Sequence, residues 1–236
     1  MSRPREHDQQ LAQALLDAAE RRIAADGVGV DALSLRAVAA DAGTTTRAVY
    51  TLFGSKNALV GALGVRAMEY LGREVPASTP SDDPVADVVA AGLVFRGFAL
   101  EHPALYSVAF HRASAAAWPL FRDAAAEAFG ALQLWFEPLA AQGLLGDRTA
   151  SAAALQFDAL CEGIAWMELR GNPLRPDPES FWRSAVTALV TGFTSPPLPP
   201  SDPTRHRCAG IGSRLTADAP ELDQPQHAGP RPVPDH

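Results

Sequence analysis

An all-α fold is what this sequence predicts, on three observations. Apolar residues recur at the i, i+3, i+4, i+7 spacing of one helix face through most of residues 11–194. No stretch alternates with the two-residue period of a half-buried strand. Proline, glycine, serine and threonine sit where those stripes begin and end. The first stripe is Leu11, Leu15, Ala18, Ala19 and Ile23, with Gly27 as its stop. Ser34 stands in N-cap position before Leu35, Val38, Ala39 and Ala42, and Gly43 breaks that second helix. Thr44 and Thr45 can cap a short third helix through Leu52. Ser55, after the break at Gly54, can cap a fourth carrying Leu59, Leu63, Ala67 and Tyr70. A polar loop from Pro76 to Asp83 follows. Pro84 suits the first turn of a helix to about Leu100, and Pro103 starts a short one to about His111. A longer helix runs from near Pro119 to near Ala141. Asp147 opens another through about Arg170, ended by Gly171-Asn172-Pro173, and Pro178 opens the last, to about Thr194. From Ser195 to His236 the composition shifts: ten of the twenty prolines fall in these 42 residues, with almost no bulky apolar side chain. Such a segment cannot bury enough surface to offset its ordering entropy, so a disordered tail is expected.

Composition excludes several classes. No apolar run approaches the roughly 18–20 residues of a membrane span, and the residues after Met1 lead into no signal-peptide core. Cys161 and Cys208 are too few and too far apart for a disulfide scaffold or a cysteine-rich zinc module, so a cytoplasmic protein is expected. The net charge of −7 argues against a non-specific nucleic-acid coat, but it is unevenly spread. Residues 1–57 hold seven basic and seven acidic groups, residues 58–194 hold nine and fifteen, and the tail four and five. Within 34–56, Arg36, Arg47 and Lys56 stand against Asp41 alone. Lys56 is the only lysine; the other nineteen basic residues are arginines, which with abundant Ala, Gly and Pro suggests GC-rich coding. Ser2-Arg3-Pro4-Arg5 is expected to be an unstructured terminus, with a basic arm on DNA as the alternative.

Residues 34–56, SLRAVAADAGTTTRAVYTLFGSK, have the makings of a helix–turn–helix. Small Ala39 and Ala40 allow close approach of the second helix, and Gly43 can take the left-handed backbone of a sharp turn. Ala48, Val49, Leu52 and Phe53 fall on an inward side, leaving Thr45, Thr46, Arg47, Tyr50 and Thr51 facing out. Hydroxyls, a guanidinium and a phenol without acidic neighbours suit base edges and phosphates in a major groove.

The segment from about Leu11 to Leu71 resembles the DNA-binding domain of the TetR family of bacterial repressors. The resemblance rests on Ala25-Asp26-Gly27, Ser34-Leu35-Arg36-Ala37-Val38-Ala39, Ala42-Gly43-Thr44, Ala48-Val49-Tyr50-Thr51-Leu52-Phe53 and Ser55-Lys56-Asn57-Ala58-Leu59. It implies a three-helix reading head over residues 1–57 and a helical effector-binding and dimerisation bundle over 58–194, ahead of the tail at 195–236. It implies phosphate contacts for Tyr50 and Lys56, phosphate or flanking-base contacts for Ser34 and Arg36, and base reading by Thr45, Thr46 and Arg47, with Thr44 and Thr51 on the same DNA-facing surface. Arg47 departs from the family pattern, where a small residue is frequent, so it reads a base or pairs with phosphate.

Residues 84–194 carry no G-x-S-x-G, H-E-x-x-H or Walker-type loop, so no enzyme is expected. Six scattered histidines, with His102 and His111 nine apart, suggest no metal site, and Cys161 reads as a buried structural thiol. No cofactor is expected beyond an unknown small-molecule effector. Aromatic side chains are concentrated here. Phe95, Phe98, Tyr106, Phe110, Phe121, Phe129 and Trp166 are the expected lining of an effector pocket, drawn from a wider set that includes Trp118, Trp135, Phe136 and Phe157. Each could instead be plain bundle core. Glu101 to Tyr106 and Ala159 to Leu169 resemble segments of one C-terminal class of the family, with Asp158 and Glu162 where that class commonly has tryptophan and histidine. If either carboxylate lines a pocket, a basic or hydrogen-bonding effector follows. The last two helices offer a homodimer seam: the last carries two stripes, Phe181, Ala185, Leu189 and Gly192, and Trp182, Val186, Val190 and Phe193, and Gly163 and Ala165 on the helix before it permit close packing. The combined expectation is a dimeric repressor that binds a palindromic operator in double-stranded DNA and is released by an effector, with no membrane partner. An activator with the same head is the alternative.

Overall fold

The computed structural model describes residues 3–26, 30–77, 81–112, 116–171 and 177–194, and every regular element among them is helical. The glycine stop at Gly27 and the tail from Ser195 lie outside the described residues. Helix α1 (Arg3–Asp26) starts earlier than the sequence suggests, so Arg3, Pro4 and Arg5 fall in a helix where an unstructured terminus was expected. α2 (Leu35–Asp41) and α3 (Thr46–Phe53) follow, then α4 (Lys56–Ala77). α4 continues through Pro76, so the expected loop begins later than Pro76.

The second half comprises α5 (Pro84–Glu101), α6 (Pro103–Tyr106), α7 (Arg122–Gln133), α8 (Glu137–Ala141), α9 (Ala150–Leu169) and α10 (Pro178–Phe193). Asp83 caps α5 by accepting from the amides of Val85 and Ala86, and Asp177 caps α10 by accepting from Ser180. Three expectations are corrected here. α6 loosens into a wider π-type turn over Ser107–Arg112 instead of continuing as one helix. The helix expected from Pro119 to Ala141 is broken by a tight turn at Leu134–Phe136, just before Pro138, which has no N–H to offer the Leu134 carbonyl. α9 starts at Ala150 instead of Asp147, because the Thr149 hydroxyl caps it by accepting from the Ala152 amide at 3.1 Å.

α4 is the hub. It packs along α7, against the Trp118–Leu120 turn, and against α1. Gly61 and Gly64 make one of these approaches possible: a Cβ on Gly64 would lie 2.5 Å from the Phe121 ring, and one on Gly61 would lie 2.6 Å from Leu120. On its other side Arg66 reaches α1, donating to Asp17 at 2.6 Å, Gln13 at 2.6 Å and Glu20 at 3.3 Å. α5, α9 and α10 form the other packed layer. Of the two α10 stripes, Trp182, Val186, Val190 and Phe193 are buried within the subunit and cannot also form a seam, whereas Phe181, Ala185 and Leu189 are half-buried and Gly192 is exposed. Ala39 is buried between α2 and its neighbours, but Ala40 faces solvent and takes no part in close packing.

Candidate nucleic-acid interface and internal cavity

The α2–α3 corner is built from short-range bonds. Ser34 accepts from the Ala37 amide at 3.4 Å and opens α2. α2 ends where the amides of Ala42, Gly43 and Thr44 fold back onto the carbonyls of Val38, Ala40 and Ala39. Gly43 has φ +65°, a left-handed conformation that costs an L-residue strain, so the turn favours glycine. Thr45 then opens α3 by accepting from the Ala48 amide at 3.3 Å. Val49 is buried beneath the corner, with Ala48, Leu52 and Phe53 half-buried around it.

Of the residues expected to face DNA, Ser34, Arg36, Thr45, Arg47, Tyr50 and Thr51 are exposed, and Thr44, Thr46 and Lys56 are half-buried. Tyr50 is 53% exposed, the more notable because it is among the largest apolar side chains left in solvent. The Thr51 hydroxyl donates back to the Arg47 carbonyl at 3.0 Å, which commits its proton to the helix and leaves it only lone pairs to offer. Lys56 opens α4 beside Ser55, whose hydroxyl accepts from the Ala58 amide at 3.1 Å. A helix N-terminus and an ammonium together favour an anion. Asp41, the one acidic group in this segment, is gripped by Arg22 of α1 through two bonds of 2.6 and 2.8 Å. That pairing holds the Asp41 carboxyl below its ordinary range and cancels its charge next to the reading face. Arg22 escaped the sequence reading because its role depends on a contact nineteen positions away.

In the second half a cavity of about 500 Å³ opens between α4, α5, the Ser107–Arg112 turn, α7 and α9. Phe95, Phe110 and Phe129 of the expected set line it. The other four lie elsewhere. Phe98 is buried with its ring against Tyr70 and Phe95. Phe121 is buried on Gly64, in the space its missing side chain leaves. Tyr106 is buried, and its phenol donates to the Glu162 carbonyl at 2.8 Å. It therefore accepts from His111 Nε2, also at 2.8 Å, which puts the proton on that nitrogen. Trp166 packs against the His111 ring at 4.4 Å and carries the Arg170 guanidinium over its own ring at 4.9 Å. The narrower set omitted Trp118, Phe157, and Met68, Leu71 and Val75 of α4, all of which line the cavity. The α4 residues extend the stripe of Leu63 and Ala67, the one signal that could have found them.

Asp158 and Glu162, one turn apart on α9, also line the cavity. Burial, and then the Glu162 charge, push the Asp158 carboxyl up to about 6. A third carboxylate on the same helix behaves oppositely. Glu168 is held below its ordinary range, against the opposing effect of burial, by Arg96 at 2.7 Å and the Trp182 indole N–H at 2.8 Å. Cys161 is fully buried and its thiol is pushed well up by burial, so it is an inert packing group.

The family model described as "Bacterial regulatory proteins, tetR family" matches residues 15–63, and the one described as "Tetracyclin repressor-like, C-terminal domain" matches residues 88–189. Among solved structures, the chain is similar to a protein of unknown function from Rhodococcus sp. RHA1, with 26% identity and a TM-score of 0.63 over 78% of this chain and 96% of that one. The fatty acid degradation regulator FadR from Bacillus halodurans shares the fold at 13% identity and a TM-score of 0.65, over 76% and 94% of the two chains. NalD of Pseudomonas aeruginosa, the secondary repressor of the MexAB-OprM multidrug efflux pump, shares it at 20% identity and a TM-score of 0.57, over 79% and 97%. Among curated proteins none matches. No helix among the described residues is long and apolar enough to cross a membrane.

Proposed function

The chain belongs to the TetR family of bacterial regulatory proteins, and from that premise we propose that it is a dimeric, effector-released repressor of transcription acting in the cytoplasm and not an enzyme. The observation that carries the reading is α4. Its first residue, Lys56, stands beside the DNA-facing corner, and its Met68, Leu71 and Val75 form a wall of the cavity. At 1.5 Å per residue those ends are about 18 Å or more apart on one rigid rod. A molecule that prefers one position of the wall therefore biases the corner. By linkage, DNA and effector weaken each other equally.

In this reading residues 1–57 form the head and 58–194 the effector and dimerisation half. Tyr50 and Lys56 bind phosphate, Ser34 and Arg36 bind phosphate or a flanking base, and Thr45, Thr46 and Arg47 enter the groove, flanked by Thr44 and Thr51. The dimer seam is the outer α10 stripe of Phe181, Ala185, Leu189 and Gly192 with the outer face of α9. On that α9 face Leu155 is 60% and Met167 41% exposed, and Gly163 has open space where a side chain would stand. A two-fold dimer reads a palindrome with half-sites a helical turn, or a multiple of it, apart.

The test starts from the genomic DNA fragments the full chain retains. On the recovered site, Tyr50→Phe and Lys56→Ala should weaken binding at every sequence, and Lys56→Ala should lower the salt slope by about 1. Unchanged affinity in both variants overturns the assignment of the head. Arg47→Ala should relax preference at one position per half-site; a uniform loss makes Arg47 a phosphate contact. Reporter output that falls on deletion of the protein makes it an activator.

A further inference from the structure

We infer that the cavity between α4, α7 and α9 takes a lipophilic organic cation, an aromatic amine or onium ion, with Asp158 as its counter-ion. This rests on the effector reading above and names the chemistry of the effector. The walls are apolar and aromatic: Phe95, Phe110, Trp118, Phe129 and Phe157 contribute rings whose faces attract a cation. The volume of about 500 Å³ suits a drug-sized molecule.

Among the described residues of the lining the charges do not balance internally. Asp158 and Glu162 project into the cavity from successive turns of α9, like charges at a spacing where they repel. Among the described residues Asp158 has neither an ion pair nor a hydrogen-bond partner. Its oxygens are nevertheless not sealed in protein, since no buried side-chain oxygen of the described residues lacks a partner. They therefore face the cavity. Among the described residues the basic group nearest to Glu162 is His111, whose Nδ1 lies 3.9 Å away.

Among the described residues Arg122 is the one basic residue in the lining; its side chain is 66% exposed, turned largely to solvent, and donates to Asp123 at 3.3 Å. The contrast with Glu168 excludes a general tolerance of buried carboxylates on this helix: where no ligand is needed, the chain supplies Arg96 and an indole N–H. At Asp158 it supplies rings and space. A carboxylate in that setting carries a desolvation cost that a bound cation removes.

The test uses ions of one shape and opposite charge. The full chain at pH 7.5 is titrated by calorimetry with tetraphenylphosphonium, tetraphenylborate and neutral triphenylmethanol. The phosphonium should bind at least tenfold tighter than the borate. Asp158→Asn should weaken the phosphonium at least tenfold and leave the alcohol within twofold; Glu162→Gln should cost the phosphonium about threefold. Borate binding equal to or tighter than the phosphonium, or phosphonium affinity unchanged in both variants, overturns the inference. If the alcohol binds and the phosphonium does not, the cation fails while the cavity stands as an effector site. If none of the three binds, or if Ala128→Trp, which fills the cavity, changes no affinity, the effector reading fails with it.

Discussion

The corner at residues 34–56 and the cavity of the second half spend their polar groups in opposite ways. In the corner each capping hydroxyl meets an amide three positions on, the turn strain is relieved by a glycine, and the one carboxylate is paired by Arg22. In the cavity a carboxylate lies among aromatic rings with no partner among the described residues, one turn from a second carboxylate. A reading head must be rigid before DNA arrives, so its bonds are made within itself. A ligand cavity must leave something unmet for the ligand to supply, and it loses stability until then.

Asp158→Asn puts that difference to its largest test. The folded carboxyl holds its proton up to about 6, against an ordinary value of 3.8. Between those values the folded state binds more protons than the unfolded one, so stability falls as pH rises. The cost is absent below about 3.8 and fully present above about 6. That displacement corresponds to at most about 3 kcal/mol. Urea unfolding at pH 7.5 should show the variant more stable by up to that amount, with the gain gone at pH 3.5. Glu162, Tyr106, Cys161, His111 and Arg122 also surround this region. They are common to both proteins, so the difference between the two isolates Asp158. A variant less stable at pH 7.5 would break the contrast.

Gly64→Ala tests the packing between the two regions. The new methyl would fall 2.5 Å from the Phe121 ring, which is fully buried. Overpacking of this kind should lower stability by about 1–3 kcal/mol in a thermal melt. An unchanged melting temperature would mean that Phe121 gives way freely and that α4 is not held against the Trp118–Leu120 turn.

Thr45→Ala has the smallest expected effect, about 1 kcal/mol, from the lost acceptor for the Ala48 amide. Combined with Asp158→Asn it should add within about 0.5 kcal/mol, since the two share no partner. A larger departure would show that the corner and the cavity are coupled in stability as well as in ligand response.

Much of this molecule was legible in its residues. The helix starts at Leu35, Thr46, Pro84 and Pro178 and the turn at Gly43 depend on groups within about four positions of one another, so spacing and capping chemistry specify them. The exposed face of α3 follows from the same periodicity once Val49 is placed inward. Which aromatic rings meet a cavity is a different kind of question. Phe110 and Phe121 are alike in type and neighbourhood, yet one lines the cavity and the other fills the notch at Gly64, fifty-seven positions earlier. Asp158 and Glu168 lie on one helix, yet only Glu168 meets Arg96, seventy-two positions away. Local bonds are set by the chain's covalent neighbours. Cavity walls, counter-ions and the sharing of α4 between two sites are set by which helices come to lie side by side, and that is a property of the packed whole.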